Sequence, residues 1–202
     1  IIDVVAAAIR QHQLAPVVVD PVLVAESGAA LFHGDAVSLL LRTLVPQATL
    51  ITPNLHEAER LTGSPITSLA EMRRAARTLC QQGAQACVVK GGHFTDTDSD
   101  EAIDVFDDGT TTYLLRSPRF TTPHTHGTGC QLSAAAASFL AQGHGLLDAV
   151  YRAKQFITVA IQHGCAVGHG HGPANPLAWH LQTAPSVALR PVSYTHLRAH
   201  ET

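Results

Sequence analysis

The residues best suited to chemistry in this sequence are Gly127-Thr128-Gly129-Cys130, at the head of an alanine-rich stretch with helical spacing. Glycine lets a backbone turn tightly and come close to a ligand. The first amides of a helix have no partner inside it, and the helix dipole adds positive potential there. Together they suit an anion such as phosphate, and fixed amides facing a spreading negative charge are what phosphoryl transfer needs. Cys130 falls in the first helical turn, where a thiol pKa is lowered, so it is expected to act as a thiolate base towards a substrate hydroxyl. The tetrapeptide alone leaves open a structural alternative, a tight loop followed by a small buried cysteine.

Three other runs end short apolar stretches in polar residues. Asp20-Pro21-Val22 follows Val17-Val18-Val19, and a carboxylate there could reach a Mg²⁺ ion or its water shell. Thr52-Pro53-Asn54-Leu55-His56-Glu57 could place an amide and a carboxylate on one helix face, to hold phosphate and metal-bound water. Asn54 and Glu57 also have the spacing of a capping box. Lys90-Gly91-Gly92-His93 could set an ammonium beside nucleotide phosphates, with glycines making room; a solvated lysine before a turn is the alternative. No Walker loop, G-x-x-x-x-G-K-[ST], occurs. Among thirteen histidines, His124-Thr125-His126 and His169-Gly170-His171 are the tempting metal pairs, yet spacing places no third ligand beside either.

These runs need a scaffold, and the rest of the chain reads as one. Its 202 residues suggest one domain, and 46% apolar with 14% charged residues suits a folded core. The net charge of −3, with no basic block, argues against nucleic acid as a partner, and no apolar run is long enough to span a membrane. Cys80, Cys87, Cys130 and Cys165 form no CxxC pair and read as reduced thiols of a cytoplasmic protein.

Along the chain, strand-like runs at 17–20, 50–52 and 86–90 alternate with helical spacing at 1–13, 35–44, 55–61 and from Ser68 to about Gln82. Gly63 and Gly83 are the expected helix stops, and Ser68 with Glu71 has the spacing of a second capping box. Ile103–Phe106 and Thr111–Leu115 flank Asp107-Asp108-Gly109-Thr110, which predicts a β-hairpin. Helices follow over about 131–142 and 146–163, then a Gly/His loop over 164–176. Such alternation predicts a mostly parallel central sheet covered on both faces, with ligands beyond the carboxyl ends of its strands. Asp20, Thr52 and Lys90 all sit at such ends.

Taken in order, Val19-Asp20-Pro21-Val22 with Ser27-Gly28, Thr52-Pro53-Asn54-Leu55 with Glu57-Ala58, Val88-Val89-Lys90-Gly91-Gly92-His93, Thr125-His126-Gly127-Thr128-Gly129-Cys130 and Gly168-His169-Gly170-His171-Gly172-Pro173 resemble the hydroxymethylpyrimidine and phosphomethylpyrimidine kinases of thiamine biosynthesis, in the ribokinase superfamily. The likeness runs from about Val4 to about His180 and implies a three-layer α/β/α ribokinase-like domain over residues 1–180, its first part missing. Cys130 matches the catalytic position and Gly127, Thr128 and Gly129 the anion hole. Lys90, Gly92 and Thr128 match nucleotide-binding positions, and Val22 with Cys130 a substrate-lining pair. Asp20, Asn54 and Glu57 match the set that organises Mg²⁺ through water. The implied reaction moves the γ-phosphoryl of ATP to a hydroxymethylpyrimidine and then to its monophosphate, and the superfamily points to a homodimer.

Some features depart from that pattern. Gln131 stands where the family usually has Thr, and His124 where it usually has Asn or Asp. The chain opens at Ile1 on a helix rather than a strand, so an opening strand and its substrate contacts are expected to be missing and the fragment to be weakly active or inactive. Residues 181–202 read as a tail, and 193–202, without any structural period, as non-native sequence. Three other readings stand beside this one: a pyridoxal or pyridoxine kinase, a non-catalytic nucleotide-binding fragment, and a piece of a fusion with another thiamine-pathway enzyme.

Overall fold

Apolar runs closed by polar residues form the strands, and stretches of three-to-four-residue spacing form the helices. A computed structural model describes residues 1–23, 35–92, 100–167, 169–180 and 187–192. Ser27, Gly28, His93, Gly168 and residues 193–202, on which part of the family likeness and the non-native tail rest, lie outside the described residues. The strands are β1 (Val18–Val19), β2 (Leu50–Ile51), β3 (Cys87–Val89), β4 (Glu101–Asp107), β5 (Thr112–Pro118) and β6 (Ala188–Val192). The helices are α1 (Ile2–Gln11), α2 (Ala36–Thr43), α3 (Leu55–Thr62), α4 (Leu69–Gln81), α5 (Thr128–Ala141) and α6 (Leu146–Gln162).

The six strands lie side by side in chain order. β1, β2 and β3 pair in parallel, with Val18 opposite Leu50 and Ile51 opposite Cys87, because helical crossovers return the chain to the same end. From β3 onward every pairing is antiparallel. The sheet is therefore mixed, with β1, β2, β3 and β5 pointing one way. The hairpin forms as the Asp-Gly turn predicts, and Gly109 takes φ 83°. Within the stretch read as a tail, β6 pairs along β5 with Ala188 opposite Arg116. It is short and carries Pro191, which suits an edge strand because proline cannot donate to a further neighbour.

Successive side chains on a strand point to opposite faces. Ile51, Cys87, Val89, Val105 and Leu114 pack on one face with Leu40, Leu61, Met72, Ala76 and Leu79 of α2, α3 and α4. Leu50, Val88, Phe106 and Leu115 pack on the other with Leu132, Ala136, Val150, Ala153 and Ile157 of α5 and α6. The result is three layers, α/β/α. Among the described residues, no helix is long and apolar enough to cross a membrane.

The helix ends show how much of this is local. Gly83, at φ 115°, follows the last turn of α4, with its amide on the Cys80 carbonyl and the Ala84 amide on that of Leu79. That six-to-one and five-to-two pair is a Schellman stop. The capping box at Asn54 is complete: Asn54 Oδ1 accepts from the Glu57 amide at 2.8 Å, and Glu57 Oε2 from the Asn54 amide at 2.7 Å. The box expected at Ser68 forms only in half. Ser68 Oγ accepts from the Glu71 amide at 3.2 Å, but the Glu71 carboxylate turns one residue back, to the Thr67 amide and hydroxyl at 2.7 and 2.8 Å. Thr67 offers two donors where the Ser68 backbone offers one.

Candidate active site

β1, β2 and β3 end on the same rim because they are parallel and in register. The Thr52 amide donates to the Val19 carbonyl at 3.0 Å, and the Lys90 amide to that of Pro53 at 2.8 Å. Asn54 and Lys90 form an isolated parallel bridge just past the strands. This brings Asp20, Thr52, Asn54, Glu57 and Lys90 together. Lys90 Nζ donates to Asp20 Oδ1 at 3.0 Å, and both side chains are largely shielded from solvent. The Thr52 hydroxyl lies 3.3 Å from the same oxygen. The Asp20 segment is tied to α3 as well, since Glu57 also accepts a hydrogen bond from the Leu23 amide. Val22 is half-buried beside it, its amide on the Asp20 carbonyl at 2.9 Å.

The fourth wall is the start of α5. Gly127 caps it at φ 77°, a left-handed conformation that residues other than glycine adopt at a cost. The helix begins at Thr128, three residues before the sequence pattern places it, so Gly129 and Cys130 lie inside its first turn. The first amide to find a helical partner is that of Gln131, on the Gly127 carbonyl at 2.9 Å. Two contacts dock this turn on the strand rim. Buried Thr52 and Ser133 share a hydroxyl–hydroxyl hydrogen bond of 2.8 Å. Gly129 presents no side chain to Lys90, and a Cβ there would stand 3.1 Å from Nζ. The ammonium thus sits beside the helix N-terminus and adds positive charge where anions are favoured.

The electrostatics correct one sequence expectation. Cys130 is exposed at the helix start, but its thiol pKa is raised, not lowered. Partial burial of the sulfur is the largest cause, followed by the charge of Asp20 and a hydrogen bond to it, with Lys90 pulling the other way. A helix N-terminus favours thiolate; burial of the sulfur, with Asp20 beside it, favours the neutral form. Glu57 is raised too, chiefly by burial and then by the charge of Asp20, against the Asn54 amide and Lys90. Asp20, paired with Lys90, thus adds its charge to the burial that raises Glu57.

The other predicted residues divide. Gly91 does make room, but for protein: a Cβ there would lie 2.1 Å from the Ile103 carbonyl oxygen. Gly92 is exposed, with open space where a Cβ would stand, and its carbonyl accepts from Arg119 at 2.7 Å. The histidine loop lies against the segment before α5. The Gly172 amide donates to His124 Nδ1 at 3.2 Å, the His126 amide to the Gly172 carbonyl at 3.2 Å, and His171 Nδ1 lies 3.1 Å from the Pro123 carbonyl. These histidines are used in joining two loops. Among the described residues, no group of three or more His, Cys, Asp or Glu is arranged to hold a metal ion by itself.

Three participants escape the sequence reading: Ser133, Asp104 and Lys154. Ser133 occupies a buried position in an alanine-rich helix and also donates to the Gly129 carbonyl at 3.0 Å. Asp104 and Lys154 form a buried ion pair of 2.8 Å beneath the Lys90-Gly91-Gly92 turn. The available signal was a lysine inside the apolar stripe of α6, at positions shared with Val150, Ala153 and Ile157. A charged residue there calls for a buried partner.

Comparison with known proteins agrees with this architecture. The sequence profile of one family, phosphomethylpyrimidine kinase, matches residues 1–175. A thiamine biosynthesis bifunctional protein ThiED from Geobacter sulfurreducens is 46% identical over 171 residues, covering 85% of this chain and 34% of that protein. A hydroxymethylpyrimidine/phosphomethylpyrimidine kinase from Haemophilus influenzae is 45% identical, covering 89% of this chain and 67% of its own length. The chain thus spans from about a third to about two thirds of these relatives. Among solved structures, a Staphylococcus aureus pyridoxal kinase in complex with ADP superposes with a TM-score of 0.86 at 32% identity, covering 95% of this chain and 69% of that one. The order of the strands, the polar rim, the profile match and the identity to these relatives lead to one conclusion: this chain belongs to the phosphomethylpyrimidine kinase family.

Proposed function

We propose that the chain carries the phosphoryl-transfer site of an ATP-dependent kinase acting on hydroxymethylpyrimidine and its monophosphate, on the route to thiamine diphosphate. One observation carries the reading: Lys90 at the glycine-lined start of α5, with Cys130 and two carboxylates within the same rim. Lys90 Nζ lies beside Gly129 in the first turn of α5, so ammonium and helix N-terminus together would stabilise the charge that a transferring phosphoryl group develops. Gly92 leaves the nucleotide side of that space open, and Val22 lines the side towards the acceptor ring.

Cys130 is proposed to take the proton from the attacking hydroxyl. It must be deprotonated to do so, and partial burial of the sulfur, then Asp20, raise its pKa. Turnover is therefore expected to keep rising with pH past the ordinary thiol value rather than to level off near neutrality. A rate independent of pH across that range overturns the assignment.

The site also fits Mg²⁺. Asp20 and Glu57 are two shielded carboxylates near one ammonium, and the charge of Asp20 helps to raise Glu57 beside burial, its largest cause. Asn54 holds Glu57 in place and would present its exposed side to the ion's water shell. The remaining ligands would be phosphate oxygens and water, the usual shell of Mg²⁺. Bound there, the ion would neutralise phosphate charge. Four unpaired cysteines suit a reducing compartment, and the cytoplasm is the proposed location.

A second reading is pyridoxal phosphorylation, favoured by the superposition on pyridoxal kinases. The test is phosphate transfer from Mg-ATP to hydroxymethylpyrimidine and, in parallel, to pyridoxal, using this chain and a version extended to its relatives' length. Preference for the pyrimidine is expected. Preference for pyridoxal transfers the site to the second reading, and turnover of neither by the extended protein overturns both.

A further inference from the structure

Lys90 and Lys154 are the only lysines in the chain, and both are ion-paired to aspartates on strand ends or strands next to the site. The Lys154 pair lies deep: Lys154 is 5% and Asp104 3% exposed. A buried ion pair is a poor source of stability, since an apolar pair of the same volume usually serves as well. Asp104 has a second use, however. Its Oδ1 accepts from the Gly91 amide at 2.9 Å while Oδ2 accepts from Lys154 Nζ at 2.8 Å. The chain at Lys90 is thereby held on both sides, by its own amide on Pro53 and by the next amide on Asp104. Gly91 cannot move inward, because the Ile103 carbonyl already occupies the space of a Cβ.

We infer that Asp104 and Lys154 are positioning residues, which aim Lys90 at the start of α5 by holding the Gly91 amide. Asp104 belongs to β4 and Lys154 to α6, so the antiparallel half of the sheet and the opposite helical layer set the reach of the ammonium. Lys154 keeps Asp104 in place with both oxygens occupied, and the amide of Gly91 is satisfied in an interior where water cannot replace the bond. That this aim serves ATP rests on the kinase reading above; that it orients Lys90 does not.

Two double variants separate this role from a merely structural one. Asp104→Leu with Lys154→Met removes the charges and the acceptor for Gly91. Asp104→Asn with Lys154→Gln removes the charges but keeps the acceptor. In both, Lys90 is the sole remaining lysine, so modification of its amine, read by mass spectrometry, reports on it alone. The Leu/Met pair is expected to label about tenfold faster than the Asn/Gln pair and to raise KM for ATP about tenfold with a smaller change in kcat, which the Asn/Gln pair restores. Partial unfolding would lower kcat and leave KM alone. Equal labelling in the two folded variants overturns the inference. If no ATP turnover is found in the unaltered protein, the kinase reading falls while the labelling still judges the positioning. If the Leu/Met pair fails to fold, hydrogen exchange at the Gly91 amide in the unaltered protein decides: exchange far slower than an open loop supports the role, and loop-like exchange overturns it.

Discussion

The two halves of the sheet use polar residues in opposite ways. In the parallel half, strands of two or three residues end at Asp20, Thr52 and Lys90, whose side chains gather on one rim. In the antiparallel half, seven-residue strands end at a turn where Asp107 is fully buried and fully occupied. Arg77 reaches Asp107 Oδ2 at 2.9 Å, Thr112 Oγ1 donates to it at 2.5 Å, and the Gly109 amide takes Oδ1 at 2.8 Å. Both clusters contain a carboxylate against a cation. One has spare capacity beside glycines and a helix start; the other has none. The difference teaches that a charged pair beside a helix start and a partly exposed thiol is a candidate site, and one whose oxygens are all taken by the protein is a joint.

Four experiments sharpen or break that contrast. The largest effect belongs to the rim: Cys130→Ala is expected to lower turnover by about 10²–10⁴-fold while leaving ATP affinity and stability nearly unchanged. Wild-type turnover by a folded variant would remove Cys130 from the chemistry. The joint should behave in reverse. Asp107→Ala strips partners from Arg77, Thr112 and Gly109, and is expected to cost about 3 kcal/mol in denaturant unfolding with the activity per folded molecule retained. Loss of activity without loss of stability would erase the distinction between the two clusters.

Thr52→Val probes the boundary between the halves' roles, since it cuts the link from β2 to Ser133 on α5. It is expected to cost about 1 kcal/mol and to lower turnover several-fold by loosening the helix start. A stability loss with no kinetic effect would show that docking of α5 does not depend on this bond. The smallest effect lies away from both clusters. Hydrogen bonds from the Thr67 amide and hydroxyl depress the exposed Glu71 carboxyl from 4.5 to about 2. A carboxyl lowered on folding stabilises above its unfolded pKa, and that contribution disappears as pH falls from about 4.5 to about 2. Glu71→Gln should flatten the stability profile over that window, as measured by thermal unfolding against pH; an unchanged acid limb would refute it.

Much of the rim was legible because its pieces are local. An apolar run followed by Asp20, Thr52 or Lys90 reads as a strand and its end, and Asn54 with Glu57 as a helix cap three residues wide. The capping reading of Glu57 holds, with one oxygen capping α3, and the same carboxyl is raised by burial and by the charge of Asp20. The strand Ala188–Val192 was not legible, because five residues containing Pro191 carry little alternation and owe their conformation to β5.

By itself the sequence determined the elements up to α6, their order, the family and most of the residues that end strands or open helices, since these depend on apolar period, caps and turns within a few residues. Only the tertiary structure decided what those residues do to one another. Asp20 meets Lys90 seventy positions away, and partial burial together with the same carboxylate turns Cys130 from an expected thiolate into a raised thiol. The direction of β4 to β6 and the pairing of Asp104 with Lys154 belong to the same class. Charge and register act through space, across a sheet whose strands come from distant parts of the chain, and no local pattern carries their sign.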